Sequence, residues 1–345
     1  MAAKTSPSGA MGDERPLPGF EELAGQSAHL PRLREEFARG AQVHAYLFCG
    51  PRGTGKRSAA RLLAMTALCV GEGTKKPCLT CGPCRRVMSL THPDVHVLLP
   101  EKDKKSIGVD AMREVIEEVA VRSFEGGQKA IIFPRAELLT PAAQNALLKT
   151  LEEPPQGTVF FLCTDQPAAL LPTIVSRCRT VRFHPLSVED AARRLEALGE
   201  TPERAAQKAR MAEGCVGQAL EISDALLALR FELTKAAFSV RHAGDIPAVT
   251  AAYKDDKELQ RQAIDVLEGA ARDILLAQSG AASLEHALYA PQAEQYARAV
   301  PLSGALALFE TIMSAKRMLA SNVAFASALE TILLKISEEY RQWPW

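Results

Sequence analysis

A seven-residue stretch, Gly50-Pro51-Arg52-Gly53-Thr54-Gly55-Lys56, follows the apolar run AYLFC and leads into a helical pattern. No other feature restricts the fold as strongly. The spacing G-x-x-x-x-G-K lets backbone amides curl around phosphate oxygens, sets the positive end of a helix beneath them, and lets Lys56 reach a terminal phosphate. Such a loop belongs between a strand of a parallel sheet and the helix that follows it. It therefore predicts an α/β core with helices on both faces. Short apolar runs at 45–50, 94–100, 129–134, 158–164 and 180–185 alternate with amphipathic stretches between Phe20 and Phe183, as strands and crossover helices would. The most legible helix is TPAAQNALLKTLEEPP. Thr140 can cap it, Pro141 suits its first turn, Leu147, Leu148 and Leu151 share a face, and Pro154-Pro155 ends it.

Gly50, Gly53, Gly55 and Lys56 are the candidate residues for holding ATP or ADP, yet the equipment for hydrolysis is missing. The position after Lys56, where a serine or threonine hydroxyl would ligate magnesium, is Arg57. Ser58 is turned by about 100° around the helix and points elsewhere. Hydrolysis also needs a carboxylate at the end of a neighbouring strand to hold the metal. The run AIIF ends instead in Pro134 and Arg135, and Glu137 follows in the next turn. Lys56, Arg57 and Arg135 are thus expected to accumulate positive charge that no local carboxylate offsets. The pocket reads as one that tolerates a metal-free nucleotide or as a structural remnant.

Cys69, Cys78, Cys81 and Cys84 form C-x8-C-x2-C-x2-C, with Gly82 and Pro83 shaping a tight knuckle. Four thiolates around a tetrahedral zinc ion is the natural reading, and four protein ligands leave no open position for catalysis. An iron–sulfur cluster is the rival, but the continuation C-x3-C-P is absent and Arg85-Arg86 follow Cys84. Cys49, Cys163, Cys178 and Cys215 are scattered and read as small buried hydrophobes. Zinc rather than disulfides is expected because no apolar run approaches the roughly 18 residues of a membrane span and the N-terminal stretch lacks a secretion core, which places the chain in the cytoplasm.

Lys plus Arg equals 41 and Asp plus Glu equals 41 in 345 residues, so the formal charge is zero. No whole-chain field attracts nucleic acid or a membrane, and the basic groups Lys75, Lys76, Arg85, Arg86, Lys102, Lys104 and Lys105 read as solvated faces. Beyond residue 187 the pattern is helical only. Ile264, Leu267, Ala271 and Ile274, then Phe325, Leu329, Ile332 and Ile336, form stripes that suit a private helical core or a subunit-assembly face equally.

GFEELAGQ, HAYLFCGPRGTGK, the four-cysteine insert, THPDV, IGVDAMREV, QNALLKTLEEPP and LLPTIVSRC occur in the order found in bacterial DNA polymerase III clamp-loader subunits. The chain resembles that AAA+ family densely over about residues 20–220, and more loosely through NVAFASALETILLKI. The resemblance implies a tail over 1–19, an AAA+ core over 20–184 carrying a zinc module at 69–84, a helical lid over 185–224, and a helical collar over 225–345. It also implies assembly with gamma/tau and delta subunits in a five-membered ring that places a sliding clamp on primed DNA. Where the active gamma/tau ATPases carry a threonine after the loop lysine, an Asp-Glu pair and a lid arginine, this sequence has Arg57, Pro134-Arg135 and Gly217. Ser176-Arg177-Cys178 keeps the family's arginine-finger motif. The resemblance therefore implies a subunit without its own ATPase activity that lends Arg177 to a neighbour's triphosphate, within a polymerase holoenzyme. Two other readings stand beside it: an active ATPase drawing on Asp165, and a zinc-dependent nucleic-acid module acting alone.

Overall fold

The computed structural model describes residues 17, 19–23, 25, 28–72, 76–101, 104–125, 127–253, 257–279, 291–321 and 323–342. The expected tail up to residue 16, Lys75 and Lys102 lie outside the described residues. The chain divides into two compact units, Met1–Leu220 and Glu221–Trp345.

The first unit is built on five strands, all paired in parallel: β1 (Ala45–Cys49), β2 (Val95–Val97), β3 (Lys129–Phe133), β4 (Thr158–Thr164) and β5 (Arg179–Arg182), in the order β2-β3-β4-β1-β5. Every residue of β3 and β4 is buried, because both faces of the sheet are covered. Tyr46, Phe48, Phe161 and Cys163 face the helices Leu30–Ala38 and Lys56–Leu68. Leu47, Phe133, Phe160 and Leu162 face Val109–Ala120, Pro141–Glu152 and Pro172–Val175. The expected strand 94–100 is shorter than its apolar run: the Leu98 amide still bonds the Ile132 carbonyl at 2.9 Å, and the chain then leaves this edge toward Pro100, which has no N–H to continue the ladder.

Local chemistry fixes the elements. The Thr140 hydroxyl accepts from the Ala143 amide, as its position ahead of Pro141 predicts. Lys129 is buried, and its Nζ donates to the carbonyls of Glu118 and Val121 at 2.6 and 2.5 Å, satisfying the C-terminal end of the helix Val109–Ala120. Asp94 is buried too, and its carboxylate accepts the amides of Phe124 and Glu125 at 2.7 and 3.1 Å. After β5, Ser187 and Thr201 cap the helices Val188–Ala197 and Pro202–Met211, and a single short turn, Val216–Ala219, follows.

The second unit is helical: Asp224–Phe238, Ile246–Ala251, Lys257–Gln278, Pro291–Ala299, Leu302–Ala320 and Phe325–Gln342. Ile264, Leu267, Ala271, Ile274, Leu329, Ile332 and Ile336 are all buried in this unit's own core, with Phe325 packed at its edge. The stripes seen in the sequence therefore build a private core. Phe238, Tyr296 and Tyr340 pack edge to face with centroids 5.0 Å apart, and the Tyr340 hydroxyl donates to the Phe238 carbonyl at 3.1 Å. No described helix is long and apolar enough to cross a membrane.

Arg230 and Asp273 form a buried ion pair at 2.9 Å inside this core. Breaking such a pair strands one charge away from water, so Asp273→Ala is expected to destabilise the second unit by about 3–5 kcal/mol. Denaturant unfolding of the variant against the parent chain measures this.

Candidate functional site

The phosphate loop leaves β1 and enters the helix Lys56–Leu68, as its spacing requires. Its interior is already engaged by the chain itself. Lys56 Nζ donates to the carbonyls of Gly50 and Pro51, each at 2.6 Å, so the ammonium folds back on its own loop. Burial pushes its pKa down, against the opposing pull of Cys163, Asp165 and Glu137. The Gly217 amide donates to the Gly53 carbonyl at 2.9 Å, and the Gln218 side-chain amide donates to the Arg52 carbonyl at 2.9 Å. Gly53 has a φ of +79°, and a β-carbon there would stand 2.5 Å from the Gln218 nitrogen; one on Gly217 would stand 2.8 Å from the Gly53 Cα. Two glycines are thus needed for the short helix Val216–Ala219 to rest directly on the loop backbone. A side chain at 217 would separate them.

The expectation of an unopposed positive cluster is corrected here. Glu137 sits in the 3-10 turn Ala136–Leu138, its side chain is 6% exposed, and its Oε1 pairs with Arg135 Nε at 3.0 Å. Glu137 and Asp165 both act on Lys56 through space. The turn after Pro134 carries Glu137, four residues beyond the strand, to where its charge acts on Lys56. Arg57 is the second residue of the loop helix, at the place where a metal-ligating hydroxyl would stand.

Cys69 ends the same helix that Lys56 begins, and Cys78, Cys81 and Cys84 come from the knuckle and the helix Gly82–Met88. The four sulfurs lie within 4.8 Å of one another, and Cys78 and Cys84 are 4.0 Å apart. Thiolates at about 2.3 Å from a tetrahedral zinc ion stand about 3.8 Å apart, so the set fits that ion. The backbone is prepared for negative sulfur: the Cys78 amide donates to Cys69 Sγ and the Cys81 amide to Cys78 Sγ, both at 3.3 Å. Amides at Thr80 and Cys81 hold the Cys78 thiol down at about 5. Burial pushes Cys84 up. Cys84 and Val87 pack on Met65 and Leu68, and buried Arg61 donates to the Met88 carbonyl at 2.8 Å, tying the knuckle to the loop helix. The nearby cations have internal partners: Arg85 donates to the Thr80 carbonyl, Arg86 pairs with Glu125, and Lys104 pairs with Glu101. Cys163 and Cys215 are buried, whereas Cys49 and Cys178 are half-buried.

Arg177 follows the short helix Pro172–Val175 and keeps 34% of its side chain exposed, so it is not sealed within the unit. Its Nη1 donates to the Thr173 carbonyl at 2.9 Å and its Nη2 pairs with Glu152. Gln144 sets the start of that segment: buried, it donates to the carbonyls of Leu139 and Ala169 at 3.0 and 3.2 Å and accepts the Leu171 amide at 2.7 Å. The sequence reading missed Gln144. Its signal was a polar residue in register with Leu147 and Leu151 on the buried stripe of the helix.

Comparison with known proteins agrees with this arrangement. Residues 25–187 match the family model described as DNA polymerase III, delta subunit. The delta' subunit of DNA polymerase III from Bacillus subtilis is 33% identical over 306 residues, covering 86% of this chain and 91% of that protein. The delta' subunit from Escherichia coli is 43% identical over 156 residues, which span 43% of this chain and 47% of that protein. A gamma subunit-related protein of known structure from Thermotoga maritima aligns over 90% of this chain and 99% of its own, at 18% identity and a TM-score of 0.44. With a relative matched along nearly its whole length, and with the phosphate loop, the cysteine cluster and the Ser-Arg-Cys segment in one α/β core, the chain belongs to the delta' family of DNA polymerase III subunits.

Proposed function

We propose that the chain serves the DNA polymerase III clamp loader as a subunit that does not hydrolyse ATP and that presents Arg177 to a neighbouring ATPase subunit. The observation carrying the first half is the closed phosphate loop. Lys56 is spent on Gly50 and Pro51, and Gly217 rests on Gly53. Arg57 replaces the metal-ligating hydroxyl and β3 ends in Pro134-Arg135. Nothing in that set generates or orients a nucleophilic water. Supporting the second half, Arg177 stands at the surface on a segment anchored by Gln144. A guanidinium donated in trans stabilises charge on a transferring phosphoryl group and is worth about 10³ to 10⁵ in rate. The partners would be gamma/tau and delta subunits in a five-membered ring acting on a sliding clamp and primed DNA. The four cysteines would hold a structural zinc ion, which clamps the far end of the loop helix and supplies no chemistry.

Two expectations follow for turnover. The isolated chain shows no ATP hydrolysis above background in a phosphate-release assay; turnover typical of an active AAA+ subunit would establish the ATPase reading, with Glu137 or Asp165 holding the metal. In a loader rebuilt with gamma/tau and delta, Arg177→Ala removes the share of clamp-stimulated turnover contributed by the adjoining site, lowering that site's rate by about 10³ or more. Unchanged turnover would sink the finger assignment.

For the metal, elemental analysis is expected to give about one zinc per chain in a colourless preparation, and Cys84→Ser is expected to lose it together with several degrees of melting temperature. An iron signal, or a metal-free chain of undiminished stability, would overturn this.

A further inference from the structure

Glu152 closes the helix Pro141–Glu152, and Arg177 reaches it across the surface from the segment after Pro172–Val175. A carboxylate at the C-terminal end of a helix meets the negative pole of the helix dipole and gains from a cation held there. Arg177 supplies that cation, and it also bonds the Thr173 carbonyl at the end of its own short helix. These two bonds occupy two of the five N–H donors of a guanidinium. Both side chains remain open to solvent, 34% for Arg177 and 49% for Glu152. We propose that Glu152 holds Arg177 in its own subunit between turnovers and competes with the incoming triphosphate for Nη2. The inference rests on the reading of Arg177 as a finger.

Magnitudes decide which partner wins. An exposed carboxylate–guanidinium pair in water shifts an equilibrium by about fivefold at most. A phosphate meeting the same fork in a closed interface makes charge-assisted, bidentate bonds in a drier setting, which are stronger. The cis pair is therefore displaced when a triphosphate arrives and re-forms when it leaves. Thr173 keeps its bond to Nη1 in both arrangements, so the exchange moves one contact and not the whole side chain. Because the carboxylate opposes engagement, its removal makes engagement easier.

The test is the rebuilt loader, with ATP turnover measured against ATP concentration for the parent chain, Glu152→Gln, Arg177→Ala and the double variant. Glu152→Gln preserves shape and removes the charge. It is expected to lower the half-saturating ATP concentration by about two- to fivefold without lowering maximal turnover, a gain that a purely structural role would not produce. The same substitution on the Arg177→Ala background is expected to change nothing. If Arg177→Ala lowers turnover while Glu152→Gln brings no gain or a loss, the competition is refuted and the finger stands. A gain that survives without Arg177 also refutes the competition. Should Arg177→Ala leave turnover intact, the finger fails and this inference fails with it.

Discussion

The hydrogen bond from the Gly217 amide to the Gly53 carbonyl is the contact around which the first unit is organised. It exists because neither residue has a β-carbon, and it joins the phosphate loop to a turn 164 positions later in the chain (217 minus 53). Two loop carbonyls are engaged from that turn, Gly53 by the Gly217 amide and Arg52 by the Gln218 side chain. Lys56 donates to two carbonyls of its own loop. Three features that look independent in the sequence, a missing lid arginine, a missing magnesium ligand and a retained glycine loop, become one physical arrangement. The loop's shape receives the helix Val216–Ala219.

The helix Lys56–Leu68 transmits this arrangement to the opposite end of the unit. Its first residue is the loop lysine and the residue after its last is a metal-ligating candidate, Cys69. Arg61, buried in the middle, holds the carbonyl end of the helix Gly82–Met88. A tetrahedral thiolate site is rigid and closed, so a metal there fixes one terminus of the helix while the glycine contact fixes the other. The knuckle also reaches further: Arg86 pairs with Glu125, whose amide is held by buried Asp94. The cysteine insert is therefore wired into the sheet.

Much of this was legible from the sequence, for reasons that differ by element. The strands β1, β3 and β4 lie within a residue or two of the expected runs, because residues buried on both sides leave uninterrupted apolar sequence. The helix 141–152 was readable from its cap and its prolines. The cysteine cluster was readable because ligand spacing is local. What escaped was everything that depends on distant backbone meeting backbone. Glycine at 217 signals freedom and gives no hint that Gly53 is its partner. Glu137 was legible as a residue of the turn after the strand, but a sequence cannot show that its carboxylate acts on the loop lysine from there. The sequence could not decide that the stripes of the second unit are buried in its own core, because a helix shows the same period whether its apolar side meets its own unit or another chain.

The two ends of the site differ in how their charged groups are held. At the loop the buried Lys56 ammonium is bonded to two carbonyls of its own loop, and opening those bonds would leave a buried charge without partners, an expensive state. At the Arg177 edge the geometry is inverted. The backbone is fixed deep inside, where Gln144 makes three hydrogen bonds with both of its amide atoms buried. The guanidinium itself is held only by an exposed carboxylate and one carbonyl, contacts that another anion can replace at little cost. Rigid support beneath an exchangeable charge is what a donated arginine requires.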